Sequence, residues 1–475
     1  MNTPEIAGPE TIENRTFDEI AIGETASLSR LLGLREIQLF ALASGDVNPS
    51  HLDAAFAETG IFHQVIAHGL WGGGLISAVL GTELPGPGVI YLSQSLRFVR
   101  PVMLGDVITA TVTVIAKEAE HHSVTLACRC ENQRGEEVIS GEAKVKAPLE
   151  KISRPRIELP DVRFFDHGFY HRLIEQAHAH APILTAVVHP CSAAALSAAV
   201  EAAQERLIEP VLIGPEAKIR AAAEQAGIDI APYRLVATPH SHAAAAQAVA
   251  MAGRGEVAML MKGSLHTDEL MGAVLAHGSP LRTERRVSHV YVMDVPGYPP
   301  PLLVSDAAIN IAPTLEEKAD IIRNAIDLAH VLGIENPRVA ILSAVETVTA
   351  TIPSTLDAAI LCKMAERGQI TGGTLDGPLA LDNAISPAAA VEKGIVSPVA
   401  GRAQILVVPN IEAGNMLAKQ LTFLGGADAA GIVLGARVPI VLTSRADGLR
   451  TRLASCAVGL LLAVAASKAA PGGSL

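Results

Sequence analysis

Two rhythms of apolar and polar positions divide this 475-residue chain, and they meet between residues 147 and 163. In the first stretch, "GLREIQLFALASG" sets Leu34, Ile37, Phe40 and Ala41 on one helical face. "HGLWGGGLISAVLGTEL" reads as a glycine-rich, almost wholly apolar helix, which predicts burial on all sides. Four alternating segments follow: "VIYLSQSLRFVRPV", "GDVITATVTVIAK", "SVTLACRCEN" and "EEVISGEAKVKA", with "NQRGEE" as a hairpin turn. A buried helix followed by an antiparallel sheet is an α+β order.

Beyond the proline-containing segment "APLEKISRPRIELPDVRF" the period changes. "ILTAVVHP", "EPVLIG", "EVAMLMKG", "RVAILSAVE", "AQILVVPN" and "VPIVLTS" are compact aliphatic runs, separated by helical stretches such as "TLEEKADIIRNAIDLAHVLG". Such runs between helices predict a largely parallel sheet covered on both faces. The expected organisation is a first domain at 1–147, a linker at 148–162 and an α/β domain at 163–475. The last is long enough for two subdomains with a cleft.

Composition narrows the class. The chain is 49% hydrophobic and 18% charged, the profile of a soluble globular protein. Its most apolar segment, "LASCAVGLLLAVAASK", is shorter than the roughly 18 residues of a membrane span and predicts a buried helix. The N-terminal segment "MNTPEIAGPETIENRTFDE" has neither the basic nor the apolar region of a secretion signal. Five cysteines without zinc-type spacing favour a reducing cytoplasm, and Cys128 and Cys130 fall on one face of a strand. A net charge of −12 argues against a nucleic-acid partner held by a basic surface. Neither G-x-G-x-x-G after a strand nor a Walker A string is present, so no nucleotide fingerprint supports a dehydrogenase or an NTPase.

The first candidate chemistry lies in "ALASGDVNPSHLDAAFAETG". Asp46 and His51 cannot share a helical face, because five residues advance about 140° beyond a full turn. Asn48-Pro49 forces a turn between them, after which Ser50 can cap a new helix with Asp53 three residues on. Both side chains can then converge on one volume. Alone, the string reads as a turn beside a surface histidine. Downstream, "IAHGLWGGG" puts His68 and Gly69 at the entrance of the buried helix, where free N–H groups can hold an oxyanion. An acid/base pair facing such donors is equipment for adding water next to a thioester, or removing it.

"ASGDVNPSHLD", "AHGLWGGGLISAVL" and "SLRFVRPVMLGDVITATVTV" together resemble the MaoC-type (R)-specific enoyl-CoA hydratases over about residues 15 to 147. The resemblance implies a hotdog fold and hydration of trans-2-enoyl-CoA by Asp46 and His51. It also implies a thioester-binding amide at Gly69. Asn48 and His68, beside these residues in the same strings, are candidate substrate-binding residues. A dimer is implied, with acyl-CoA bound where two hotdog units meet.

The α/β region carries polar strings at predicted strand ends, where open sheets bind ligands. "LMKGSLHTDEL" offers Lys262, Gly263, Ser264 and Thr267; "VVPNIEAGNMLAKQL" offers Asn410 and Asn415; "VPIVLTSRADGLR" offers Ser444, Arg445 and Asp447. Each alone reads as a loop, a cap or a surface ion pair. With "SHVYVMDVP" they resemble the phosphate acetyl/butyryltransferase family over about residues 163 to 470, closest to its butyryltransferase-like branch. That family implies an isocitrate/isopropylmalate-dehydrogenase-like fold of two subdomains with a cleft, and exchange of an acyl group between CoA and phosphate. It makes Arg445 the electrostatic stabiliser and Ser444 the neighbour of the CoA thiol. Two positions depart from the acetyltransferase pattern: Thr451 stands where that branch has an Asp, and Asn410 where its "P-D" string has one. Asp447 is the nearest carboxylate for a general base.

The expectation is a fusion of two enzymes acting on CoA thioesters and phosphate, with no metal or tightly bound cofactor and no membrane partner. A dimer or higher even-numbered assembly is implied by resemblance. Lys262, Arg285 and Arg286 are the candidate cations for CoA phosphates. The rival readings are a transferase-like domain that senses acyl-CoA without chemistry, and a hotdog that acts as a thioesterase or binding module.

Overall fold

The computed structural model describes residues 11–160, 162, 168–299, 301–442 and 448–469. The chain divides into two compact units, Met1–Val162 and Arg163–Leu475.

The first unit carries a five-stranded antiparallel sheet in the order Thr25–Leu31, Val107–Glu118, Ser123–Glu131, Glu137–Lys146, Ile90–Phe98. Alternation decides which side faces inward. Ile108, Ala110, Val112 and Val114 on one strand, and Val124, Leu126, Cys128 and Cys130 on the next, pack with Ile76, Val79 and Leu80 of helix Gly69–Thr82. Cys128 and Cys130 are thus on one buried face and unbridged. All four strands read from the pattern form. The edge strand Thr25–Leu31 was not legible, because "TASLSRL" is half-exposed throughout.

The glycine-rich helix is not buried on all sides. Its inner face is covered, but Leu70 is 61% exposed, and Gly74 and Ser77 face out. One sheet can cover only one face of a helix, so its outer face remains open within the first unit. Close approach explains Gly72, where a Cβ would lie 2.4 Å from Ile139 Cδ1. The expected linker is also partly ordered. Ser153–Pro155 pairs antiparallel with Thr11–Glu13, and buried Asn14 accepts from Ile152 N at 2.9 Å and donates to Glu150 O at 2.8 Å. These bonds fold that segment back onto the first unit.

The second unit holds one eleven-stranded sheet. Its order is Arg234–Ala237, Ile208–Gly214, Ile183–Val188, Met259–Lys262, Ile440–Val441, Asp428–Leu434, Ser288–Asp294, Leu302–Ser305, Ile405–Val407, Arg338–Leu342, Thr374–Leu379. The first five strands are mutually parallel, as are the last four. Between them, Asp428–Leu434 and Ser288–Asp294 are antiparallel to each other and to their outer neighbours. Three reversals make the two parallel halves run in opposite directions. Helix Leu449–Ala469 is long and apolar enough to cross a membrane by length and composition. Its Cys456, Ala457, Val458 and Leu460 are nevertheless fully buried in the core, and Ser455 Oγ accepts from Gly431 N at 2.9 Å.

Candidate functional sites

Helix Leu34–Ser44 ends at Gly45, whose φ of 75° turns the chain away from the helix axis. Asp46 follows in that turn, and its Oδ1 accepts from Asn48 N at 3.2 Å. Asn48 then caps the short helix Pro49–Leu52, accepting from Ser50 N at 3.1 Å. This corrects the expected cap at Ser50. Proline fits the first helical position, where no N–H is needed, so the capping role moves to the residue before it. Asp53 caps the next helix, Ala54–Thr59, through Phe56 N at 3.0 Å.

His51 lies in the short helix, 9% exposed, with Nδ1 at 2.9 Å from Ile66 O. A carbonyl oxygen only accepts, so Nδ1 carries a proton, and in the neutral ring Nε2 is the nitrogen with the lone pair. His68 is the N-cap of helix Gly69–Thr82 and is 2% exposed. Asp46, His51 and His68 each bring a ring nitrogen or carboxylate oxygen within 4.8 Å of the other two. The two residues singled out in the sequence thus converge, and the amide end of the glycine-rich helix opens beside them. The first N–H groups of a helix have no intrahelical acceptor, so Gly69 N–H stays available. A Cβ at Gly69 would lie 3.2 Å from the Phe98 ring, so this glycine also seats the helix end on the sheet.

Among the described residues, the second constellation does not form one cluster. Lys262 ends its strand and Gly263–His266 leads into helix Thr267–Leu275. Gly263 N donates to Val188 O and Ser264 N to His189 O, each at 2.9 Å, while Ser264 Oγ donates to Ser192 Oγ at 2.9 Å. Asn410 caps helix Ile411–Phe423 by accepting from Ala413 N at 2.9 Å, and Asn415 Nδ2 donates to Ala307 O at 3.2 Å. The strands leading to these two loops belong to opposite halves of the sheet. Their ends therefore point to opposite edges, and the strands themselves are offset by about 24 Å across five strand spacings. Ser444, Arg445 and Asp447 lie in 443–447, outside the described residues.

Arg286 is bound to Glu317 at 3.0 Å and to Asn310 Oδ1 at 2.8 Å, and Arg285 pairs with Asp327 beside a cavity of about 550 Å³. These two of the three candidate cations are thus already engaged with polar partners. Two further loops hold polar residues that no motif in the sequence singles out. "HPCS" after the strand Ile183–Val188 supplies the Ser192 partner of Ser264. "SDAAIN" folds around buried Asp306, whose carboxylate accepts from the N–H groups of Ala308, Ile309 and Asn310 at 2.9, 3.0 and 3.2 Å. Their signal was a polar residue directly after an aliphatic run.

Beside Asp306, His289 is 1% exposed, and burial pushes its imidazole down to about 4, against an opposing pull from the Asp306 carboxylate. The folded chain therefore holds it neutral, while the unfolded chain takes up a proton near the ordinary value of 6.5. The second unit is expected to lose stability as pH falls from about 6.5 towards 4, and His289→Gln to flatten that slope in urea melts.

Known proteins bear on both halves. The family described as "MaoC like domain" matches residues 19–132, and "Phosphate acetyl/butaryl transferase" matches residues 236–459. A phosphate acetyltransferase of Rhizobium meliloti is 65% identical over 294 residues, 62% of this chain and 93% of that protein. A phosphate butyryltransferase of Clostridium acetobutylicum is 41% identical over 268 residues, 56% of this chain and 89% of that protein. The crystal structure of a branched-chain phosphotransacylase from Enterococcus faecalis is 29% identical, covering 59% of this chain and 99% of that one, with a TM-score of 0.53. The chain belongs to the phosphate acetyl/butyryltransferase family and is an enzyme in which that domain is fused behind a MaoC-like hotdog domain. Relatives of both acetyl and butyryl name match, so the expected butyryltransferase-like branch is not singled out.

Proposed function

We propose that the chain is bifunctional: it hydrates trans-2-enoyl-CoA to (R)-3-hydroxyacyl-CoA, and it exchanges an acyl group between CoA and phosphate. The convergence of Asp46 and His51 beside the Gly69 amide carries the first half of this reading. Water lies between the carboxylate and His51 Nε2 and loses a proton as its oxygen bonds to C3 of the enoyl thioester. Charge passing to the thioester oxygen is met by Gly69 N–H, and a proton is delivered to C2. Both hydrogens and the oxygen of water end in the product.

The 65% identity to a phosphate acetyltransferase carries the second half. The CoA thiolate attacks the acyl phosphate carbonyl and phosphate leaves; the reverse direction makes acyl phosphate. No covalent enzyme intermediate is needed, so positioning and the Arg445 charge supply the rate. We place this chemistry in an isocitrate/isopropylmalate-dehydrogenase-like fold with a cleft, a reading supported by the two opposed parallel halves of the sheet. The exposed edge strand Ile90–Phe98 and Leu70 give the hotdog an apolar face for a second copy. Five free cysteines suit the cytoplasm.

The test uses the full-length protein. Crotonyl-CoA is expected to lose its conjugated absorbance without releasing thiol, and acetyl- or butyryl-CoA to release thiol only when phosphate is present. Arg445→Ala is expected to lower the second rate about 10²–10³-fold and leave the first unchanged. Absence of phosphate-dependent thiol release would reduce the second domain to a sensor.

A further inference from the structure

His68 enters the Asp46–His51 cluster from a different element, and its two ring nitrogens have unequal surroundings. Nε2 lies 3.0 Å from the backbone carbonyl of Asp46, 22 residues earlier in the chain. Because that oxygen can only accept, Nε2 carries the proton and donates. Nδ1 is buried and has no hydrogen-bond partner. The ring lies over that of His51, with centroids 4.0 Å apart and planes tilted by 36°. It also meets Phe40, centroids 5.0 Å apart, on the helix that leads to Gly45 and Asp46.

We propose that His68 is a positioning residue for the water chemistry and does not itself contact the substrate. It rests on the hydratase reading above. The Asp46 side chain sits on an exposed turn whose fixed points are its own local bonds, from Asn48 N to Oδ1 and from Asp46 N to Ser44 Oγ. Neither ties the turn to the rest of the unit. The His68 Nε2–H bond does, by joining the turn to the N-terminus of the helix that presents Gly69. The same ring packs against His51 on the face left open by its Nδ1–H···O=C bond to Ile66. One side chain thus sets the spacing between carboxylate, imidazole and oxyanion donor. Displacing a catalytic group by about 1 Å can cost on the order of 10²-fold in rate.

Two amide substitutions separate this role from simple core filling. His68→Gln places an N–H₂ where Nε2 was and can still donate to Asp46 O; His68→Asn is equally polar but too short to reach it. With crotonyl-CoA and the full-length protein, His68→Gln is expected to keep kcat within about tenfold, and His68→Asn to lose about 10²-fold in kcat with KM little changed. Equal rates in the two variants, or a loss confined to KM, would overturn the proposal. The wild-type protein gives a second measurement independent of folding defects. Nitrogen-15 shifts of labelled histidine must show His68 as the Nε2–H tautomer, and the Nδ1–H form would refute the bond. Asp46→Asn serves as the control. If it leaves hydration intact, the hydratase reading fails; if it abolishes hydration while both His68 variants stay active, only the positioning role fails.

Discussion

Asp46→Asn is expected to slow hydration of crotonyl-CoA by about 10³-fold while phosphate-dependent thiol release stays at the wild-type rate. The substitution keeps shape and removes charge. The carbonyl oxygen of the new amide can still accept from Asn48 N, so the turn after Gly45 keeps its local bonding. The amide cannot take a proton from water, and that loss falls on the step where the oxygen bonds to carbon. His51 remains with its Nε2 lone pair but without the carboxylate that shares the water. The second activity belongs to a separate compact unit with its own cores, so it reports that the loss is confined to the front unit. A hydration rate within about tenfold of wild type would remove Asp46 from the chemistry, and with it the reading of the front domain.

Gly263→Ala is expected to lower acyl transfer at least about 10²-fold and leave hydration untouched. A Cβ at this position would lie 2.5 Å from Val188 O and 2.7 Å from His189 O, both backbone atoms that cannot swing aside. Gly263 N and Ser264 N donate to those same two carbonyls, so the loop can make room only by breaking both bonds. The movement would carry Lys262 and Ser264 away from the end of their strand and separate Ser264 Oγ from Ser192. Strain of this kind costs about 1–3 kcal/mol, so thermal unfolding of the second unit should also shift downward. Unchanged transfer together with an unchanged melting temperature would show that the Lys262 loop neither fills this tight space nor serves the reaction.

Much of this protein was legible in its residues. Period-two alternation in "DVITATVTVIAK" and "SVTLACRCEN" put Ile108, Val112, Leu126 and Cys130 inside, because a strand in a one-sided sheet has only one way to face the core. The Asp46–His51 corner was readable because Gly45 and Asn48-Pro49 act through local backbone geometry, which needs no distant partner. Strands such as "ILTAVV" and "RVAIL" announced themselves as buried runs, and the helix after Gly448 as a core helix.

What depended on contacts far apart in sequence could only be seen in the fold. His68 stands in the sequence as a polar residue before an apolar helix; the fold gives it a carbonyl 22 positions away and a neighbouring imidazole as partners. The Lys262 and Asn410 loops looked like parts of one site because both follow aliphatic strands. Strand direction is set by which neighbours pair, and the antiparallel centre of the sheet turns those ends to opposite edges. Local pattern fixes which residues face inward, since that requires only a helix or strand period; which polar ends meet is fixed by long-range pairing, which no local period records.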